Sequence, residues 1–360
     1  MRPLSFCQLR FQTTFKKLER MEECMAVSTS APAGSSQDRI YVESEWAPLK
    51  ECVYGSPDTW VLPVFLSDVK LRAQGEFGEF WAKNQGRDVK EASPELFAEF
   101  NMQINGAIDL LERHGVKVHV AGEISANNRK YPRGQDHGVS TPWMRDPFVT
   151  IGNNVIELAP RSFFHRRQRF AIREILASTM DRGARYFSQP DSGADDYNEG
   201  SGWGYLEGGD VFVLGKDILV GNSGGCSNPE GARWLQHMLG PEYRVQTVKI
   251  DPMFPHLDCV LMTPREGVAV ACMEALPEGL PAFMKEWDIF AVPKSLAKGH
   301  MGCNNLVLDD QTVVVPSEEA LNPVAEALSA RKFDVIRIPY RVPCMAGGSF
   351  RCAHQPLIRV

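Results

Sequence analysis

The chain has 360 residues. It contains no Cys-x-x-Cys pair, no His-x-x-x-His spacing, no basic stripe interleaved with aromatics, and no apolar run near the roughly 18 residues of a membrane span. Each absence removes a class of function. Without paired thiols or closely spaced histidines no zinc cage is expected, and no metal ligand is assigned. A formal net charge of −6 without a basic stripe leaves no surface for nucleic acid. The nine cysteines (7, 24, 52, 226, 259, 272, 303, 344 and 352) stand singly, are odd in number and follow no export signal. That pattern predicts reduced thiols in a reducing compartment, the cytoplasm, rather than a disulfide framework. Most of them read as small buried apolar residues. What remains is an ordinary globular composition, 43% hydrophobic and 23% charged, with small molecules as the expected partners.

Residues 1–38 stand apart. Arg2, Arg10, Lys16 and Lys17 fall in a stretch without acids, and 28–37 is a Ser/Ala/Pro/Gly linker. Two readings are open: a disordered or leader segment that targets an organelle, the mitochondrion, or a start assigned upstream of Met21 or Met25. On either reading the expected catalytic domain is residues 39–360.

An internal repeat organises that domain. Segments 148–158, 211–220, 260–270 and 306–315 each read as strand, tight turn, strand, with β-branched runs across a Gly, Asn or Asp turn. Helix-like stretches followed by a further apolar strand come after them, at 229–239 then 243–250 and at 320–330 then 333–339. The pair 105–114 and 116–120 makes the same step upstream. A ββαβ unit cannot bury its own apolar face, so several must pack around a common centre. Asp146, Asp210, Asp258 and Asn305 each stand at the start of a hairpin, and Cys352 precedes a final strand-like tail, 354–360. The last four positions are spaced by 47 or 48 residues, one per repeat. Each Asp or Asn alone reads equally well as a turn former; sharing one register with a cysteine, they are expected to converge on one axis. Strand 49–54 is expected to pair with the C-terminal tail and close the ring, giving five modules.

Four short segments then carry the chemistry: Met144-Arg-Asp-Pro147, Leu206-Glu-Gly-Gly-Asp210, His256-Leu-Asp258 and Gly347-Gly-Ser-Phe-Arg-Cys352. They supply a thiol, an imidazole and at least three carboxylates. A guanidinium is a planar cation with five N–H donors, which carboxylates hold by paired, charge-assisted hydrogen bonds. Its central carbon yields to a soft thiolate, and the leaving amine takes a proton from an imidazolium. A Cys–His pair also serves proteases, but an uncharged peptide carbonyl gains nothing from two or three buried acids. The two glycines before Cys352 predict a tight bend presenting the thiol, with Arg351 and local N–H groups lowering its pKa. Loop 221–228 lacks the lysine of a phosphate loop and reads as a lead into a helix.

These motifs, in this order over residues 45–360, resemble the guanidino-group-modifying superfamily of amidinotransferases, arginine deiminases and dimethylarginine hydrolases. Trp46-Ala-Pro-Leu-Lys50 with Gly55 downstream adds to the set. The resemblance implies an α/β fold, a five-bladed α/β propeller of pseudo-fivefold ββαβ repeats, with the site on the axis. It implies Cys352 as nucleophile, His256 as acid/base and Glu207 as the carboxylate pairing with it. Asp146 and Asp258 match guanidinium holders, Asp210 supports from behind, and Arg145 and Asn304 are expected in the substrate site. Segments 44–50, 151–160 and 226–239 are similar to glycine and inosamine-phosphate amidinotransferases. Two positions depart from that branch: Glu207 stands where its pattern has Asp, and Cys272-Met-Glu-Ala-Leu276 replaces a carboxylate-binding arginine. The implied activity is amidino transfer from a donor such as L-arginine to an acceptor amine through an amidino-cysteine, without a cofactor. A guanidino hydrolase is the alternative, and a non-catalytic guanidino-binding protein the third reading. Self-association through a side of the ring would fit such a fold.

Overall fold

Short β-branched runs broken by two-residue turns have little choice but to pair with themselves, and here they do so repeatedly. The computed structural model describes residues 38–64, 75–131, 138–191 and 203–360. The leader expected at 1–38 lies outside them, Asp38 excepted.

Four sheets share one plan. Phe148–Ile151 runs antiparallel to Asn154–Glu157, which pairs in parallel with Arg185–Ser188. Val211–Leu214, Asp217–Asn222 and Arg244–Lys249 repeat it, as do Leu261–Arg265, Val268–Ala271 and Asp288–Ala291. Leu306–Val307, Thr312–Pro316 and Asp334–Ile338 form the fourth. The fifth is built from both ends of the domain. His354–Arg359 lies antiparallel to Leu49–Tyr54, which pairs in parallel with Lys117–Val120, while Tyr41–Val42 adds an edge strand. The expected pairing of strand 49–54 with the tail is therefore present. Single bridges, Val42 to Gly152 and Ser44 to Leu214, link sheets, and no continuous ladder closes a barrel among the described residues.

Burial grades across each sheet. The first strands, such as Phe148–Ile151 and Val211–Leu214, are buried along their whole length, whereas the third strands Arg185–Ser188 and Asp288–Ala291 are only partly covered. The largely apolar runs of the first strands suit strands covered on both faces.

Two elements differ from expectation. The stretch 105–114 is only the second half of a 20-residue helix, Pro94–Arg113, which starts at an N-cap Ser93 followed by Pro94; a Ser-Pro-Glu start is a strong helix signal. In the third module no α-helix joins the second and third strands. Two 3-10 turns, Met273–Ala275 and Ala282–Met284, make the crossing, because Pro277, Gly279 and Pro281 punctuate it. The seven described cysteines are free thiols, and no described helix is long and apolar enough to cross a membrane.

Candidate active site

The chemistry-bearing side chains sit in turns just ahead of buried strands. Glu207 precedes the 3-10 turn Gly208–Asp210, His256 precedes the turn Leu257–Cys259, and Cys352 lies in the short helix Phe350–Ala353. Hydrogen bonds tie these turns together. The buried Asp210 carboxylate accepts from Leu257 N–H at 2.9 Å and from Ser227 N–H at 3.2 Å. Asp146 Oδ1 accepts from Gly209 N–H at 3.1 Å. Asn304 Oδ1 accepts from Cys352 N–H, and its Nδ2 donates to the Asp258 carbonyl, both at 3.1 Å.

His256 Nε2 meets Glu207 Oε2 at 2.6 Å, and its Nδ1 stands 3.7 Å from Asp146 Oδ1. Burial opposes an imidazolium here, but Asp146, Cys226 and Glu207 override it and hold the pKa well above 6.5. Burial likewise pushes Asp146 up, against the pull of His256 and His165, and it raises Asp210 to about 7. Residue 209 must be glycine for this geometry, since a Cβ there would stand 2.7 Å from His256 Nδ1.

Cys352 Sγ lies 3.7 Å from Asp258 Oδ2. Burial raises its pKa first, then Asp258 and Asp146; a backbone contact at Ser349 and the charge of His256 pull it down. The net shift is upward, against the lowering expected from local N–H groups and Arg351. That side chain turns away, bonding Glu45 at 3.0 and 3.1 Å and Asp258 at 3.2 Å, with its guanidinium 3.8 Å over the Phe212 ring. The Gly347–Gly348 bend exists because Trp143 occupies the space beside it: a Cβ on residue 348 would stand 2.6 Å from the indole.

A cavity of about 930 Å³ opens onto Cys352, His256, Glu207 and Asp146. The other four expected site residues do not line it. Arg145 points inward to Gln355 Oε1 at 2.5 Å and the Arg351 carbonyl at 3.2 Å, from the turn that precedes strand Phe148–Ile151. Asp258 is sequestered by Arg351, and Asp210 and Asn304 are consumed in holding the turns. All four side chains hydrogen-bond within the protein instead.

Sequence reasoning missed three features of the cavity wall. His165 approaches Asp146 Oδ2 at 3.6 Å. Trp60, Phe77, Trp81 and Trp143 form an aromatic side, with Trp60 and Phe77 stacked at 5.8 Å. Cys226, at the end of loop 221–228, contacts His256. That loop does lead into a helix, Pro229–Leu239, but the Asp210–Ser227 bond also swings its thiol inward. Among the described residues, two sets place three ligand-capable atoms within 4.8 Å of one another: Glu207, Cys226 and His256, and Asp146, His165 and Glu207.

Comparison with known proteins adds to this geometry. The model of the eukaryotic N,N dimethylarginine dimethylhydrolase family matches residues 68–359. An L-arginine:L-lysine amidinotransferase of Pseudomonas savastanoi pv. phaseolicola is 25% identical over 341 residues, 86% of this chain and 91% of its own. SxtG, an amidinotransferase from Microseira wollei, matches with a TM-score of 0.74 at 24% identity, over 89% of this chain and 97% of its own. DDAH from Pseudomonas aeruginosa, solved with citrulline, matches with a TM-score of 0.57 at 16% identity, over 86% of this chain and 99% of its own.

Proposed function

Because the chain belongs to the eukaryotic N,N dimethylarginine dimethylhydrolase family, we propose that it attacks a guanidino carbon, and that the reaction is amidino transfer from a donor such as L-arginine to an acceptor amine. The observation that carries this reading is the convergence of the Cys352 thiol, the His256–Glu207 pair and the Asp146 carboxylate on one cavity. The five modules are read as the blades of an α/β propeller with this cavity on its axis.

The donor guanidinium enters against Asp146 and Glu207, which offer charge-assisted acceptors. Its positive charge beside Cys352 offsets the neighbouring carboxylates that raise the thiol, so the thiol releases its proton to solvent as substrate binds. The thiolate attacks the guanidino carbon. His256, held as imidazolium by Glu207, gives its proton to the departing amine, and the carbon–nitrogen bond breaks to leave an amidino-cysteine. The acceptor amine then attacks, the neutral His256 takes its proton, and the Cys352 thiolate departs. Asp210, Asn304 and Asp258 fix the turns.

Amine rather than water as acceptor is supported by the relatives that align over most of the chain, and by the nearer fold match to SxtG than to DDAH. The family model, named for a hydrolase, favours a second reading in which water resolves the intermediate. Incubation with L-arginine, with and without glycine, lysine or another amine, separates them by mass spectrometry. Ornithine together with an amidinated amine, formed only when the amine is present, is expected. Citrulline from arginine alone would replace transfer by hydrolysis.

A further inference from the structure

A second cavity, of about 390 Å³, lies at the other end of the strands that follow the catalytic turns. Trp46, Phe283 and Trp287 line it together with Glu43, Asp217 and Glu266. We propose that it binds a small cation of the guanidinium class, at a site separate from the Cys352 cavity. This binding does not depend on the reaction proposed above.

The strands set the separation. Glu207 and Asp210 precede strand Val211–Leu214, and His256 and Asp258 precede Leu261–Arg265. The second cavity instead touches Leu214, Gly215 and Glu266, on the hairpin turns where those strands finish. Four strand residues span roughly 13 Å. Among the described residues, none lines both cavities.

Trp287 meets the other two rings edge-on, at 6.1 Å and 69° to Trp46 and at 6.4 Å and 80° to Phe283. A corner between near-perpendicular rings offers a cation more than one π face. Phe283 is 37% exposed, and both indoles are half-buried. No Lys or Arg of the described residues stands over these three rings. Neighbouring aromatics are already served: Lys216 stands over Tyr243, Arg265 over Phe333 and Arg331 over Phe290.

The charge is of one sign. Asp217 is held by Arg244 at 2.6 and 2.7 Å, but the Glu43 and Glu266 carboxylates have no ion pair or hydrogen bond among the described residues. The cations on the same turns are directed elsewhere. Lys216 lies 3.7 Å from Glu242, and Arg265 donates to the Arg331 carbonyl at 2.8 Å. Two uncompensated acids at the mouth of a small cavity draw a cation from outside.

The floor is fixed by the backbone. Gly215 N–H donates to the Glu43 carbonyl at 3.1 Å, and Glu45 N–H to the Val213 carbonyl at 2.8 Å. Ser44 Oγ accepts from Ala47 N–H at 3.0 Å and closes the turn that carries Trp46.

These walls select among cations. A guanidinium is planar, delocalised and weakly hydrated, stacks on aromatic faces, and brings N–H donors for the carboxylates. An ammonium of lysine type keeps its water more tightly, and a quaternary ammonium has no N–H to give to Glu43 or Glu266.

The test is a titration of the full chain with methylguanidine, followed through the indole N–H resonances by two-dimensional NMR. The Trp46 and Trp287 signals, assigned with Trp46→Phe and Trp287→Phe, should shift and saturate. Cys352→Ala should leave those shifts unchanged. Glu43→Gln combined with Glu266→Gln should weaken binding by roughly 3–30-fold, the worth of two exposed charges; both side chains are exposed, so the fold is not at stake. Urea, planar and neutral, should give no saturable shift, and tetramethylammonium should bind more weakly than methylguanidine. An equal response to urea, or an undiminished one in the doubly substituted chain, would show contact without charge recognition and overturn the proposal. Tetramethylammonium binding as tightly as methylguanidine would overturn the guanidinium assignment. Shifts confined to Trp60, Trp81 and Trp143 would put the probe in the catalytic cavity alone and overturn it equally. None of these readouts needs turnover, so a chain inactive toward arginine would still decide the matter.

Discussion

His256 Nε2 and Glu207 Oε2 lie 2.6 Å apart with both side chains buried, so the carboxylate fixes the charge of the imidazole as well as its orientation. Glu207 is one of three groups that hold the His256 pKa well above 6.5 against the effect of burial. In the proposed reaction the imidazolium that protonates the leaving amine is present below that raised pKa and is lost as pH rises through it.

Glu207→Gln keeps a hydrogen-bond acceptor and removes the charge. The alkaline limb of kcat/KM should move to lower pH, and the rate at pH 8 should fall by about 10²-fold or more, the usual worth of general acid catalysis. A pH–rate series on both proteins checks this. A uniform loss with an unmoved alkaline limb would show that Glu207 does not set the state of His256.

In the proposed reaction Cys352→Ala removes the atom that takes the amidino group. Turnover should fall by ~10⁶-fold, as when the nucleophile of a coupled catalytic unit is deleted. Acid-quenched protein from a reaction with arginine should carry one amidino group on the Cys352 peptide, and the variant none. Retained turnover in the variant would eliminate the covalent route.

Gly209→Ala introduces a Cβ at 2.7 Å from His256 Nδ1 and 2.8 Å from its Cγ. The imidazole has to shift, and a displacement of about an ångström at a reacting group costs on the order of 10²-fold. The expected result is a drop in kcat of that size with the melting temperature lowered by only a few degrees. A variant as fast as the original would mean that the ring can move without consequence.

Hairpins were legible because Gly152, Gly215 and Gly267 mark turns at positive φ between β-branched runs. The start of helix Pro94–Arg113 was equally marked by Ser93 and Pro94, ahead of residue 105, at which the expected stretch began. Cys352, His256, Glu207 and Asp146 carry motifs, and the fold puts them on one cavity. Cys226 heads the segment 226–239 that carries a family resemblance, but nothing in that segment marks the thiol as a cavity residue. Its position depends on a bond from Asp210 to the next residue, a contact between two turns that no local pattern encodes. Arg351 misled for the opposite reason: it is adjacent to Cys352 in sequence, but its charge is taken up by Glu45 and by Asp258, the same carboxylate that faces the thiol.

That misdirected arginine leads to the last prediction. Arg351 donates two hydrogen bonds to Glu45, at 3.0 and 3.1 Å, and Arg145 stands 3.8 Å from the same carboxylate. Burial alone would raise Glu45; the charges of Arg351 and Arg145 override it and hold its pKa down to about 2, from 4.5. A carboxyl depressed in the folded state adds stability that is fully present above the unfolded value, near 4.5, and that is lost as pH falls toward 2. A shift of this size corresponds to about 3 kcal/mol. Glu45→Gln should therefore unfold more easily than the original chain at pH 7, by roughly 3–5 kcal/mol for one partner taken from a buried pair. The gap should narrow as pH falls between about 4.5 and 2, because protonation removes the same charge from the original chain. Urea unfolding at pH 7, 4.5 and 3 reads the gap directly. A constant difference across the series would mean that Glu45 contributes shape rather than charge, and that Arg351 finds its counter-charge in Asp258 alone.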